Sequence, residues 1–126
     1  MKTLSLALLG AFAAAGNFTP AHAQDTDSAA GQKLFQQRCG ACHQITSTRN
    51  GVGPHLQHVI GRAAGSIEGF RYSPALQQAG ITWSVETLDA FLTNPGAMVR
   101  GTRMTQRFNN AADRKEIIEF LAIGDQ

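Results

Sequence analysis

The 126-residue sequence holds only two cysteines, one tryptophan and one tyrosine. With two cysteines a four-cysteine zinc site is excluded. Neither sign of charge dominates: eleven Lys and Arg face nine Asp and Glu, far from the basic stripe that binds nucleic acid. There is no internal repeat, and no proline-, glutamine- or serine-rich tract. Hydrophobic residues make up 43% of the chain, enough apolar surface to fold as one small domain rather than remain disordered. Apart from the N-terminus no strand pattern appears, and no run approaches the roughly 20 apolar residues that span a bilayer.

The N-terminus has its own pattern. Lys2 supplies a positive charge, Leu4 to Gly16 (LSLALLGAFAAAG) is uncharged and apolar, and Ala21-His22-Ala23 has small residues at the two positions that a signal peptidase reads. Gln24 to Asp27 then turns polar. This is the layout of a cleaved secretory signal, residues 1–23, followed by a mature domain, residues 24–126. The apolar stretch is too short for a membrane anchor, and Asn17 and Pro20 end it. Losing Lys2 leaves the mature chain close to neutral, and a domain of that size gains from a bound cofactor.

Both cysteines fall in Cys39-Gly40-Ala41-Cys42-His43. Two thiols three positions apart can add to the two vinyl groups along one porphyrin edge, and the next residue places an imidazole at the iron. C-x-x-C-H is therefore the pattern of covalent haem attachment, with His43 as one axial ligand. A redox dithiol would follow a βαβ pattern, which is missing here. A zinc half-site would lack its second pair of ligands, since only His55 and His58 remain as candidates. A disulfide between Cys39 and Cys42 would explain neither the export signal nor the histidine.

The sixth ligand decides between an electron carrier and a protein that binds small molecules at iron. Met98, Met104, His55 and His58 are candidates. A histidine would lower the potential and a thioether would raise it. His55 and His58 sit between Gly53-Pro54 and Gly61, a loop setting. Spacing alone does not choose between Met98 and Met104.

Over nearly all of the mature chain the sequence resembles the class I cytochromes c, and specifically the subgroup that includes mitochondrial cytochrome c. The resemblance runs in order through GQKLFQQRCGACH (31–43), GVGPHL (51–56), Gly61-Arg62, GFRY (69–72), GITW (80–83), Glu86-Thr87-Leu88, Asn94-Pro95 and GTRM (101–104). It implies a small all-α fold of three to five helices around one haem c attached through Cys39 and Cys42. It further implies His43 and Met104 as the metal ligands, with Met98 left to packing. The Pro54 carbonyl would accept a hydrogen bond from the proximal imidazole, and Arg62, Tyr72 and Trp83 would hydrogen-bond the haem propionates. Where better-known members carry Asn and Tyr near the axial methionine this chain has Leu76 and Phe91, so a drier haem side is expected, with Thr102 retaining its hydroxyl. The usual lysine-rich docking ring is sparse, Gly96 and Ala97 standing at places often basic. Arg38, Arg103, Arg100 and Arg107 remain to steer a partner.

The function so implied is a periplasmic, monomeric carrier of single electrons, not an enzyme. Its partners would be a quinol-oxidising complex or dehydrogenase as donor and a terminal oxidase or reductase as acceptor. Two alternatives are a haem-based gas sensor or peroxidase-like protein with a labile sixth ligand, and a permanent subunit of a larger oxidoreductase.

Capping residues give the same helical reading. Asp27 or Ser28 would start a helix running towards Cys39. Ser73-Pro74 would open a short one that stops at Gly80, and Ser84 one that Asn94-Pro95 ends. Asn110 would open the last, with Ile117, Ile118, Phe120 and Leu121 as its apolar stripe. The resemblance further implies that the first and last helices cross at close range, with Gly31 and Phe35 against Ile117 and Phe120.

Overall fold

The computed structural model describes residues 23–124. The export-signal reading of residues 1–23 lies outside these, Ala23 apart. Among the described residues five helices follow in order: α1 (Ala23–Arg38), α2 (Pro74–Gln77), α3 (Val85–Thr93), α4 (Pro95–Met98) and α5 (Ala111–Ile123). Among the described residues the only β pairing is an isolated bridge between Ala63 and Thr82. The expected small all-α fold is the one observed.

Three helix starts follow from local chemistry. The Ser73 hydroxyl accepts from Leu76 N–H, with Pro74 at the first helical position of α2. Ser84 and Thr87 cap α3 reciprocally: Thr87 N–H donates to Ser84 Oγ at 3.2 Å and Ser84 N–H to Thr87 Oγ1 at 2.7 Å. Asn110 Oδ1 accepts from Ala112 N–H and Asp113 N–H at the head of α5.

Three boundaries differ from expectation, the first being the end of α2, which closes at Gln77, short of Gly80. Helix α1 begins at Ala23, so neither Asp27 nor Ser28 caps it; no glycine or proline in residues 23–28 stops the helix from extending upstream. Asn94 ends α3 and also opens α4, its side chain accepting from Ala97 N–H at 3.2 Å.

Helices α1 and α5 cross in close contact. Gly31 is buried in that crossing, and a Cβ there would stand 2.8 Å from Phe120 Cβ and press on the Glu116 carbonyl. Phe35 and Phe120 rings meet at 5.6 Å. The crossing joins a core of Phe35, Val59, Trp83, Leu88, Phe91, Leu92, Phe108, Ile117, Ile118 and Leu121. At the foot of α1 the Phe35 carbonyl accepts from Cys39 N–H and Gly40 N–H, and the Cys39 carbonyl from Cys42 N–H and His43 N–H. The attachment motif is thus a tight turn fixed directly to α1.

Candidate cofactor site

A cavity of about 600 Å³ opens between the end of α1, the 52–62 loop, residues 70–73, α3 and the 102–106 segment. Cys39, Cys42, His43, Pro54, Arg62, Tyr72, Trp83 and Met104 all line it. Met98 lines a separate groove beside α2 and α4, and His55 and His58 are not on the cavity wall. Among the four sixth-ligand candidates only Met104 faces this space.

The His43 imidazole is fixed by two neighbours. Its Nδ1–H donates to the Pro54 carbonyl at 2.7 Å, which leaves Nε2 with the lone pair. Gly53 packs against the ring, and a Cβ there would crowd its Cε1, Nδ1 and Nε2 atoms. Burial holds the imidazole below its ordinary pKa, the Pro54 bond opposes that shift, and the Arg62 charge adds to it. The group is neutral at pH 7, as a ligand nitrogen has to be.

The two thiols differ. Cys39 is buried and Cys42 exposed. Burial pushes the Cys39 thiol up to about 11, partly opposed by the Arg38 charge, so it is protonated at neutral pH.

The polar residues on the wall are tied to their own loops. Arg62 donates from Nη1 to the Gln57 carbonyl and from Nη2 to the His55 carbonyl, each at 2.9 Å, closing the 55–62 loop. The Tyr72 hydroxyl accepts from Ile67 N–H at 3.2 Å, and its ring meets Phe70 edge-on at 4.8 Å. Burial raises the Tyr72 pKa, against the pull of the Ile67 bond and the Arg62 charge, so its proton stays available to donate. Trp83 is buried with its ring against Phe91 at 5.1 Å. Phe91 and Leu76 both line the cavity, which makes that wall apolar.

Sequence reasoning passed over several wall residues. Val52, 80% exposed, Phe70 and Arg71 all border the cavity. Phe70 and Arg71 lie inside GFRY, where the signal was at hand. Arg38 and Arg103 border the cavity as well, whereas Arg100 belongs to the second groove.

The site fits a haem. Its volume is in the range of about 300–1,000 Å³ for cofactor cavities, its walls are mostly apolar, and it holds two thiols, a neutral imidazole with one nitrogen committed, and a thioether.

The sequence profile of the family described as Cytochrome c matches residues 28–123. Cytochrome c2 of Rhodomicrobium vannielii is 41% identical over 124 residues, 97% of this chain and 96% of that protein. Cytochrome c2 of Rhodoblastus acidophilus is 45% identical over 98 residues, 76% of this chain and 91% of that protein. Among solved structures, cytochrome cH from Methylobacterium extorquens is similar with a TM-score of 0.71 and 37% identity, covering 77% of this chain and 98% of that one.

Proposed function

Because the chain belongs to the cytochrome c family, with covalently attached haem c as its cofactor, we propose that His43 and Met104 are the two protein ligands of the iron. On the same reading Cys39 and Cys42 form the thioethers, and residues 24–126, freed of a signal at 1–23, work in the bacterial periplasm. The protein is an electron carrier. When bound, the haem supplies the one-electron change between ferric and ferrous iron.

The chain's own residues do the rest. Cys39 and Cys42 hold the group to the turn after α1. Pro54 fixes the His43 tautomer and raises the ring's basicity. Met104 fills the position that oxygen or another small molecule would otherwise take. Phe91, Leu76 and Leu92 exclude water, while Arg62, Tyr72 and Trp83 offer donors to the propionates. Arg38 and Arg103 at the cavity mouth steer a redox partner of acidic surface through a small, quickly released contact. Those partners are a quinol-oxidising complex or dehydrogenase on one side and a terminal oxidase or reductase on the other, with the carrier itself monomeric.

The observation that carries this reading is that His43, Met104 and both cysteines line one cavity, while Met98, His55 and His58 lie elsewhere. Optical spectra of the exported, purified protein and of Met104→Ala test it. A far-red thioether-to-iron charge-transfer band in the oxidised wild type, absent from the variant, is expected, with no carbon monoxide binding to the reduced wild type. Ready carbon monoxide binding and no band would turn the reading towards a gas sensor or peroxidase-like protein.

A further inference from the structure

Arg114, on the first turns of α5, reaches across three segments. Its Nε donates to Asp89 Oδ1 on α3 at 2.7 Å, and its Nη1 to the Phe108 carbonyl at 2.8 Å and the Asn109 carbonyl at 3.2 Å. The Arg114 side chain is only 11% exposed. Phe108, in turn, is among the most deeply buried side chains, and its N–H donates to the Leu92 carbonyl of α3 at 2.9 Å.

What lies just upstream gives this clasp its meaning. Among the described residues no backbone hydrogen bond involves Met104, Thr105, Gln106 or Arg107. This stretch hangs between two anchorages. The upstream one is a turn, Thr102 N–H to the Val99 carbonyl, plus an exposed bond from Arg103 Nη1 to the Arg71 carbonyl at 2.7 Å. The downstream one is Arg114. The exposed Arg103 bond competes with water, whereas the Arg114 guanidinium, largely out of solvent although its partner Asp89 is 48% exposed, is bonded to a carboxylate and two carbonyls and is the costlier to release.

We propose that Arg114 is a positioning residue for Met104: closed on Asp89, Phe108 and Asn109, it sets how readily the 104–107 segment lifts its thioether from the iron. The proposal rests on Met104 being the ligand. Lifting of the segment is a local opening, separate from global unfolding. The planar fork spreads these bonds over two fixed nitrogens, Nε and Nη1, whereas a lysine would have to reach all three acceptors from one.

Free imidazole is the probe. Titrated into the oxidised holoprotein, it captures the opened state, and loss of the far-red band reads its affinity. Arg114→Lys is expected to raise imidazole affinity about tenfold and Asp89→Asn by a smaller factor. Glu119→Gln, which removes the exposed pair with Lys115 on the same helix, is expected to leave it unchanged. Guanidinium unfolding followed by Trp83 fluorescence runs in parallel. A variant that unfolds earlier yet binds imidazole like the wild type shows a merely structural arginine and overturns the proposal. If Arg114→Lys does not fold, Asp89→Asn decides alone, and an unchanged affinity there overturns it. A wild type lacking the band would sink the ligation reading and this one together; a wild-type band with unaltered affinity in the variants overturns only this one.

Discussion

The backbone of Gly53 lies against the His43 imidazole, so that a Cβ on it would stand 2.6 Å from Nδ1 and 2.9 Å from Nε2. Two consecutive positions therefore serve one ring: Gly53 leaves it room, and Pro54, next in sequence, fixes its proton.

Gly53→Ala should push the ring away from Pro54 and weaken the bond at 2.7 Å. A less basic imidazole stabilises ferric iron less. The reduction potential is expected to rise by tens of millivolts, against about 59 mV for each tenfold change in a one-electron equilibrium. Redox titration of the two proteins under identical conditions checks this, and an unchanged potential would show that Gly53 does not restrain the ring.

Each cysteine can be removed singly. With Cys39→Ala or Cys42→Ala one vinyl group stays conjugated to the porphyrin, so the reduced spectrum is expected to shift to the red while haem remains attached through the other sulfur. Cys39→Ala should also lower stability, because it empties a packed position, whereas Cys42 is exposed. A spectrum identical to the wild type in either variant would mean that its sulfur does not form a thioether.

Gly31→Ala places a Cβ 2.8 Å from Phe120 Cβ at the α1–α5 crossing. Overpacking of this kind typically costs about 1–3 kcal/mol. The guanidinium midpoint should fall with the slope unchanged, read through Trp83 fluorescence.

Glu86, in the first turn of α3, has its pKa lowered by its own backbone N–H and by the Ser84 side chain. The folded state thus favours the charged form. The stabilisation is present above the ordinary carboxylate range and fades as pH falls through the lowered value. Thermal unfolding of Glu86→Gln and wild type at pH 7 and at about pH 3 should show a gap at the higher pH that narrows at the lower. A gap equally wide at both would rule the carboxylate out as its source.

Much of this was legible in one sequence. Ser73, Ser84 and Asn110 announced their helices because capping is local, decided by a side chain and an amide three residues away. The start of α1 was misjudged because Asp27 and Ser28 are good caps that a longer helix can also absorb. The double duty of Asn94 escaped notice because α4 is a single turn with no periodicity to detect. At the site, spacing pointed to Cys39, Cys42 and His43 but did not separate Met98 from Met104; the resemblance favoured Met104 through GTRM, and the chain's path puts Met104 in the cavity lining and Met98 in another groove. Arg62 read as a charge destined for a propionate; its reach to the Gln57 and His55 carbonyls depends on loop shape. Arg114 was invisible for the same reason, since its partner Asp89 lies on another helix.

The crossing of α1 with α5 couples the first helix to the last. An unfolded chain exposes the face of α1 around Gly31 and Phe35 until α5 docks on it, and that docking must bring together two helices with all of residues 39–110 between them. Cys39, at the foot of α1, is 9% exposed once folding is complete. Its sulfur is therefore most reachable during the interval before α5 docks. On the proposed reading of Cys39 as an attachment site, the order of folding after export would set a window for receiving the cofactor, and the docking of the last helix would close it.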